Sequence, residues 1–141
     1  MNTEELTNKL KEYDDIGAFI QENENAFDDN AFKNYLEELL RRNDTYIATL
    51  AKDSGVSIPY THNLFSGRRN APRKDILLRL AFGLKLNLDE TNRLLTLGGT
   101  APLRSKVRRE SIVIFCINKG YTLEQADELM HHYSLPTFQS V

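Results

Sequence analysis

Apolar side chains recur at three- and four-residue intervals along most of the chain, which is the period of an amphipathic α-helix. The clearest stripe spans 32–40, and residues 1–28 carry enough apolar positions for one or two further amphipathic helices. Later stripes fall at 47–51, 61–65, 77–84, 88–95, 112–116 and 126–133. Alternating β-branched runs beside an Asn-Gly or Asp-Gly turn, which indicate strands, do not occur. The pattern therefore predicts an all-α fold.

Polar caps and glycines divide these stripes into separate helices. Gly55 ends the second stripe, and the Gly98-Gly99 pair ends the stripe at 88–95. Asn87 is placed to cap that same helix at its start. Thr122, with Gln125 three residues on, has the spacing of a capping box for the last helix.

Two parts of the chain resemble each other. Residues 73–103 align without gaps to residues 108–138, at an offset of 35 and with three identities. Each copy contains a basic pair, an apolar helix, a short turn, an acid-rich cap, an amphipathic helix and a proline. Two unrelated helix pairs built on the same rules would also look alike. We predict that each copy is a helical hairpin, with the second packed as an extension of the first.

The composition excludes several classes of protein. A chain of 141 residues, 40% hydrophobic and 27% charged, is typical of one soluble globular domain, or of one such domain with an appendage. A single cysteine, Cys116, excludes an internal disulfide and favours a reducing compartment. No apolar run approaches the roughly 20 residues that span a bilayer. We therefore expect a cytoplasmic protein without a membrane segment.

Charge is strongly segregated along the chain, although the net charge is only −2. Residues 1–45 carry twelve acidic and five basic side chains, whereas residues 46–110 carry five acidic and twelve basic ones. A basic middle with acidic flanks is typical of a nucleic-acid-binding module. The alternative is that like charges cluster by chance on solvated helix faces.

Residues 47–67 have the pattern of two short helices joined by a tight turn. Ala51 is small enough to let the second helix cross closely, and Gly55 permits the left-handed conformation that ends the first. Val56 is placed to fill the turn. The second helix is anchored inward by Thr61, Leu64 and Phe65. This is the spacing that a helix-turn-helix requires.

In this region the sequence resembles the λ-repressor-like family of helix-turn-helix regulators, of the Xre/Cro type. The matching segments are LAKDSGVS, LFSGRRNAP and ILLRLAFGLKLNLDETNRLL. The whole chain is also similar to bacterial Xre-type regulators that carry an extra C-terminal helix pair. The resemblance implies an Xre-type domain at 29–99, an acidic N-terminal helical segment at 1–28, and a C-terminal helical hairpin at 100–141 packed on that domain.

The resemblance also implies a function and a site. The expected function is sequence-specific transcription regulation, with a recognition helix at about 57–65 in the major groove of double-stranded DNA and a homodimer as the binding unit. The residues expected to face bases are Ser57, Ile58, Pro59, Tyr60, His62 and Asn63. Those expected to contact phosphates are Ser66, Arg68, Arg69, Asn70, Arg73 and Lys74.

The motif departs from the family pattern at three positions. Ile47 stands where the family commonly has a glutamine, and neither Ile58 nor Pro59 can hydrogen-bond to a base through its side chain. Base reading then depends on Asn63 and its neighbours, on contact with a thymine methyl, or on DNA shape. The alternative is a degenerate motif that acts as a protein–protein interaction module in signalling. A third hypothesis is that the acidic segment 1–28 covers the basic face and inhibits binding.

The remaining reactive side chains do not form a predicted chemical site. His131 and His132 point about 100° apart on a helix and have no further ligand at metal spacing, so we predict no metal site. Cys116 lies on an apolar stripe and is predicted to be a core residue. We therefore expect neither catalysis nor a cofactor. A second basic run is predicted to be exposed linker charge or, alternatively, a supplementary phosphate contact: Arg104, Lys106, Arg108 and Arg109.

Overall fold

The computed structural model describes residues 2–23, 30–66 and 72–138. Within them the chain forms nine α-helices and no strand, which confirms the all-α class. The helices are α1 (Thr3–Leu10), α2 (Ile16–Glu22), α3 (Ala31–Arg42), α4 (Ile47–Ser54), α5 (Ile58–Ser66), α6 (Lys74–Gly83), α7 (Leu88–Leu97), α8 (Arg108–Lys119) and α9 (Leu123–His132).

The acidic N-terminal segment forms two short helices rather than one. Each has a side-chain cap: the Asn2 side chain accepts from the Glu5 N–H, and the Asp15 side chain accepts from the Gly17 N–H. Helix α1 has no buried residue, whereas α2 buries Phe19. Residues 24–29, which follow α2, lie outside the described residues.

One hydrophobic core runs from α3 to α9, and α3 to α7 contribute most of its side chains. Helix α3 packs against α5 and α7, and α4 packs against α5 and α6. Three α3 side chains, Phe32, Leu36 and Leu39, are almost fully buried at the helical spacing seen in the sequence. Since burying one such side chain contributes about 1.5–3 kcal/mol, this face fixes α3 against its neighbours.

The turn between α4 and α5 has the predicted form. Gly55 has a φ of +67°, in the left-handed region that ends α4, and the Val56 N–H donates to the Ala51 carbonyl at 3.1 Å. The Val56 side chain is buried, as predicted. A Cβ on Gly55 would also lie 2.6 Å from Nη1 of Arg79, so a side chain here would displace that guanidinium.

The internal repeat is confirmed, and it extends to the details of the backbone. We call 73–103 (α6 and α7) the first hairpin and 108–138 (α8 and α9) the second hairpin. The second helix of each opens with a complete capping box, Asn87 with Glu90 and Thr122 with Gln125, exactly 35 positions apart. The turn preceding each box contains a left-handed residue at the same register, Lys85 in one and Gly120 in the other.

The two hairpins also close in the same way. In the first, the Leu103 N–H donates to Oδ1 of Asn92 at 2.9 Å, and in the second the Phe138 N–H donates to Oδ1 of Asp127 at 2.7 Å. Leu103 and Phe138 are both buried. Each C-terminal segment is therefore held back onto its own hairpin by a side-chain acceptor at an equivalent position.

Reciprocal ion pairs join the two hairpins. Nζ of Lys74 lies 3.2 Å from Oε2 of Glu110, and Nη1 of Arg109 lies 2.7 Å from Oδ1 of Asp75. The repeat aligns Lys74 with Arg109 and Asp75 with Glu110. Helix α6 contacts α9 while α7 contacts α8, so the helix contacts are reciprocal as well. This is the pattern that a two-fold relation between similar units produces.

The second basic run differs from its prediction at one residue. Arg104, Lys106 and Arg108 are exposed, as expected for linker charge. Arg109 is instead largely covered, because its guanidinium binds Asp75 and lies 4.7 Å from the centre of the Phe138 ring. The partner of Arg109 lies 34 residues away in sequence, so no local pattern could reveal it.

Candidate nucleic-acid interface

One face of α5 anchors the helix in the core. Thr61, Leu64 and Phe65 are buried, and α3 and α4 are the helices on which α5 principally packs. The Thr61 hydroxyl donates to the Ser57 carbonyl at 2.9 Å, which satisfies its hydrogen-bonding capacity inside the core. The orientation of α5 is therefore fixed by buried contacts.

The opposite face of α5 is open. All six residues predicted to face bases are exposed, including Ile58 at 48% and Tyr60 at 37% of their full accessibility. Neither the N-terminal helices nor the second hairpin is among the principal packing partners of α5. Ser57, just before the helix, accepts from the Tyr60 N–H at 3.3 Å and so caps the first turn.

Three polar side chains on this open face have unused hydrogen-bonding groups. The Tyr60 hydroxyl, the His62 ring and the Asn63 amide have no hydrogen-bond partner within the described part of the chain. An amide can pair with adenine through two hydrogen bonds, and an imidazole or hydroxyl can donate to or accept from a base edge. These groups are therefore free to bind a polar ligand.

The residues predicted to contact phosphates differ in their surroundings. Ser66 and Arg73 are exposed, and the Ser66 hydroxyl donates to the Asn63 carbonyl at 3.0 Å. Lys74 is partly covered, and its ammonium group is already neutralised by Glu110. The other three, Arg68, Arg69 and Asn70, lie outside the described residues.

Sequence reasoning missed Arg79, although it lies close to this surface. Its side chain is buried, and Nη1 donates to the carbonyls of Ser54 and Gly55 at 3.3 and 3.0 Å, at the end of α4. A cation there is favourable, because the carbonyl end of a helix carries partial negative charge. The available signal was a charged residue inside a leucine-rich helix, at a position where the second hairpin has Ile114.

Two depressions flank the turn and its supporting helices. The smaller, which we call the turn cavity, has a volume of about 310 Å³ and is lined by Gly55, Val56, Ser57, Tyr60, Arg73, Ile76 and Arg79. It brings Ser57, Tyr60 and Arg73, three residues predicted from sequence, together with Arg79. The larger, about 750 Å³, is an open groove where α4 and α6 face the α8–α9 turn, and both signs of charge line it.

The other candidate side chains lie where the sequence placed them. Cys116 is fully buried, and burial raises the pKa of its thiol. His131 and His132 are exposed. In the described ranges, no three His, Cys, Asp or Glu side chains are grouped to hold a metal ion. Across the same ranges, no helix has the length and apolar character needed to cross a membrane.

Comparison of the chain with protein-family models, with curated proteins and with solved structures finds no match. Function is therefore inferred from the chemistry and geometry of this surface. Its main features are an anchored helix with an open polar edge, an exposed arginine beside it, and a cationic cavity at its base.

Proposed function

We propose that the chain is a sequence-specific DNA-binding transcription regulator of the bacterial Xre type, with α5 lying in the major groove. The observation that carries this proposal is the division of α5 into a buried anchoring face and an open face, on which three polar side chains have no hydrogen-bond partner among the described residues. An α-helix with its side chains is about 10–12 Å wide, which suits a major groove about 12 Å wide.

The proposed roles follow from what each side chain can donate or accept. Asn63 reads a base edge, assisted by His62 and Tyr60, while Ile58 contacts a thymine methyl. Pro59 occupies the first turn of α5, where its missing N–H costs no helical hydrogen bond. Arg73 and Ser66 contact phosphates, together with the segment 68–70, whereas Lys74 contributes less because Glu110 already neutralises it.

The proposal also covers the arrangement of the helices and the oligomeric state. Helices α3 to α7 form the λ-repressor-like bundle, α4 and α5 form its helix-turn-helix unit, and two copies bind a palindromic site as a homodimer. This arrangement is supported by the short turn at Gly55, by the packing of α5 on α3 and α4, and by the sequence resemblance. Two-fold symmetric half-sites are the usual targets of such dimers.

Selection of bound duplexes from a random DNA pool tests this function, followed by affinity measurements on the selected sequence. Asn63→Ala should weaken binding to the selected duplex by about 1–3 kcal/mol and relax base preference at one position. Asn118→Ala is the matched control, because Asn118 is an exposed asparagine on α8, away from α5. Failure to enrich any sequence at low salt would refute the proposal.

A second candidate is suggested by the apolar character of the start of α5. Ile58, Pro59 and Tyr60 are consecutive and exposed, which suits docking of a protein partner. Under this candidate function, Ile58→Ser releases a bound protein partner and Arg73→Ala does not, while no duplex is enriched. Enrichment of a consensus duplex that depends on Asn63 would eliminate it.

A further inference from the structure

The turn cavity lies between the α4–α5 turn and the first half of α6. One wall is formed by the turn and the start of α5, and the other by Arg73, Ile76 and Arg79. Its volume of about 310 Å³, in a depression that is open to solvent, far exceeds the roughly 10–15 Å³ of space that one water molecule needs. The cavity therefore has room for a small tetrahedral anion with part of its hydration shell.

A buried cation that pairs with no carboxylate of the described residues lines this cavity. Arg79 is only 6% exposed, and its Nη atoms donate to the backbone carbonyls of Ser54, Gly55 and Phe138. Nε has no hydrogen-bond partner among the described residues, and none of their carboxylates pairs with this guanidinium. Burying a charge is costly unless it is both hydrogen-bonded and neutralised, so the cavity favours an anion.

A helical hairpin of this type does not require an arginine at the position of Arg79, as the second hairpin shows. The residue equivalent to Arg79 is Ile114, on the corresponding helix of a hairpin with the same caps and the same closing hydrogen bond. Asp127, which accepts from the Phe138 N–H, does not line the cavity. The buried cation is thus specific to the hairpin that supports the turn.

Other groups at the cavity also favour negative charge. Arg73 is exposed at its edge and has no ion-pair partner among the described side chains, since the neighbouring Asp75 is held by Arg109 through two hydrogen bonds. Ser57 and Arg73 immediately precede α5 and α6, so two helix N-termini, each with partial positive charge, begin at its wall. The unpaired Tyr60 hydroxyl adds a further donor.

We propose that the turn cavity binds a phosphate-type oxyanion, with the Arg73 guanidinium as its charged donor, the Tyr60 hydroxyl as a neutral one, and the buried Arg79 charge as electrostatic support. The phosphoryl group belongs to a free small molecule or to the backbone of a bound nucleic acid. The two cations match the charge of a phosphate dianion, and guanidinium N–H groups suit phosphate oxygens. This site shares Arg73 and Tyr60 with the proposed DNA interface but does not require base reading by Asn63 or His62.

Titration of the isotope-labelled full chain with inorganic phosphate, followed by amide chemical shifts, tests this site. Sodium chloride at equal ionic strength is the reference. We expect saturable shifts centred on Gly55, Val56 and Ser57, with an affinity that Arg73→Ala lowers about tenfold. Arg108→Ala is the matched control, because Arg108 is exposed and equivalent to Arg73 in the repeat, and it should leave the affinity unchanged.

Arg79→Met provides a second test, since it removes the buried cation and keeps an apolar side chain where the second hairpin has Ile114. We expect the folded variant to lose phosphate binding, and its amide spectrum in chloride reports whether it is folded. If Arg79→Met does not fold, the Arg73→Ala and Arg108→Ala comparison decides alone. Absence of saturable shifts in the unaltered chain, or equal affinities in Arg73→Ala and Arg108→Ala, would overturn the proposal.

Competition separates the two sources of the phosphoryl group. Displacement of a selected duplex by phosphate, beyond the effect of chloride at equal ionic strength, supports a backbone phosphate in the cavity. Simultaneous binding of duplex and phosphate supports a free phosphorylated molecule. Phosphate binding without any duplex binding would remove the DNA-binding proposal alone, and duplex binding without phosphate binding would remove this one alone.

Discussion

The two hairpins share one framework but present different outer surfaces. In the first, Leu80 and Leu86 are buried, and α6 packs against α4. The equivalent residues of the second are Phe115 and Tyr121, which are 47% and 36% exposed. Caps, left-handed turn residues and closing hydrogen bonds are the same in both. These local features therefore specify a hairpin, while the side chains between them decide whether it supports another helix or faces solvent.

The closing residue of the second hairpin provides the largest expected effect. Phe138 is fully buried and packs edge-on against Phe82 of the first hairpin, with ring centres 6.0 Å apart. Phe138→Ala should lower the free energy of unfolding by about 3–5 kcal/mol, because it leaves a cavity where the hairpins meet. Urea denaturation measures this value.

Phe115→Ala is the control for that experiment, since Phe115 is half exposed on the same hairpin. Its cost should be much smaller than that of Phe138→Ala. Equal costs at the two positions would contradict the division between a buried joint and a solvent-facing surface.

The second largest expected difference between the hairpins comes from the close approach of α6 to α4. A Cβ on Gly83 would lie 2.2 Å from Oγ of Ser54 and 3.1 Å from Cδ1 of Leu50. Gly83→Ala should therefore destabilise the protein by about 1–3 kcal/mol, although alanine is the better helix former. Asn118→Ala, at the equivalent and exposed position of α8, should change stability by less than about 0.5 kcal/mol. A stabilising Gly83→Ala, measured by thermal or urea unfolding, would show that α4 does not pack this closely.

The smallest effect concerns Cys116, whose counterpart in the first hairpin is the buried Ala81. Burial raises the pKa of the Cys116 thiol, so the folded state favours the protonated form. The stabilisation is fully present below the unfolded pKa of about 8.5 and is lost as the pH rises. Above that pH, stability should fall by at most about 1.4 kcal/mol per pH unit while only the unfolded thiol ionises.

Cys116→Ala isolates this contribution, because it makes the second hairpin match the first at the same register. Unfolding of both proteins in urea between pH 7 and 10 gives their stability difference at each pH. That difference should decrease above about pH 8.5. A constant difference would mean that the thiol ionises equally well in the folded protein.

Local patterns predicted most of the helical framework. Gly55 and the Asn87 and Thr122 caps act through residues only a few positions apart, and the repeat is visible as similar residues at a constant offset of 35. Helix periodicity likewise identified the buried and open faces of α5. The choice of ligand for that open face stays a prediction.

Long-range electrostatic contacts were not predictable in the same way. Lys74 looked like a free phosphate contact and Arg109 like linker charge, yet each is paired with an acid on the other hairpin. Arg79 was hidden inside an apolar helix, and its partners Ser54, Gly55 and Phe138 are distant in sequence. Such pairings depend on the tertiary packing of helices, which cannot be predicted from the spacing of apolar residues or from amino-acid composition.

The most direct test of the proposed DNA interface is the salt dependence of binding to a selected duplex. The logarithm of the association constant should fall linearly with the logarithm of salt concentration, with a slope near −0.9 for each phosphate contact. Arg73→Ala should make that slope shallower by about 0.9, whereas Arg108→Ala, the equivalent residue of the second hairpin, should leave it unchanged. Absence of binding at low salt, or the same slope for both variants, would contradict the assignment of the α5 surface to DNA.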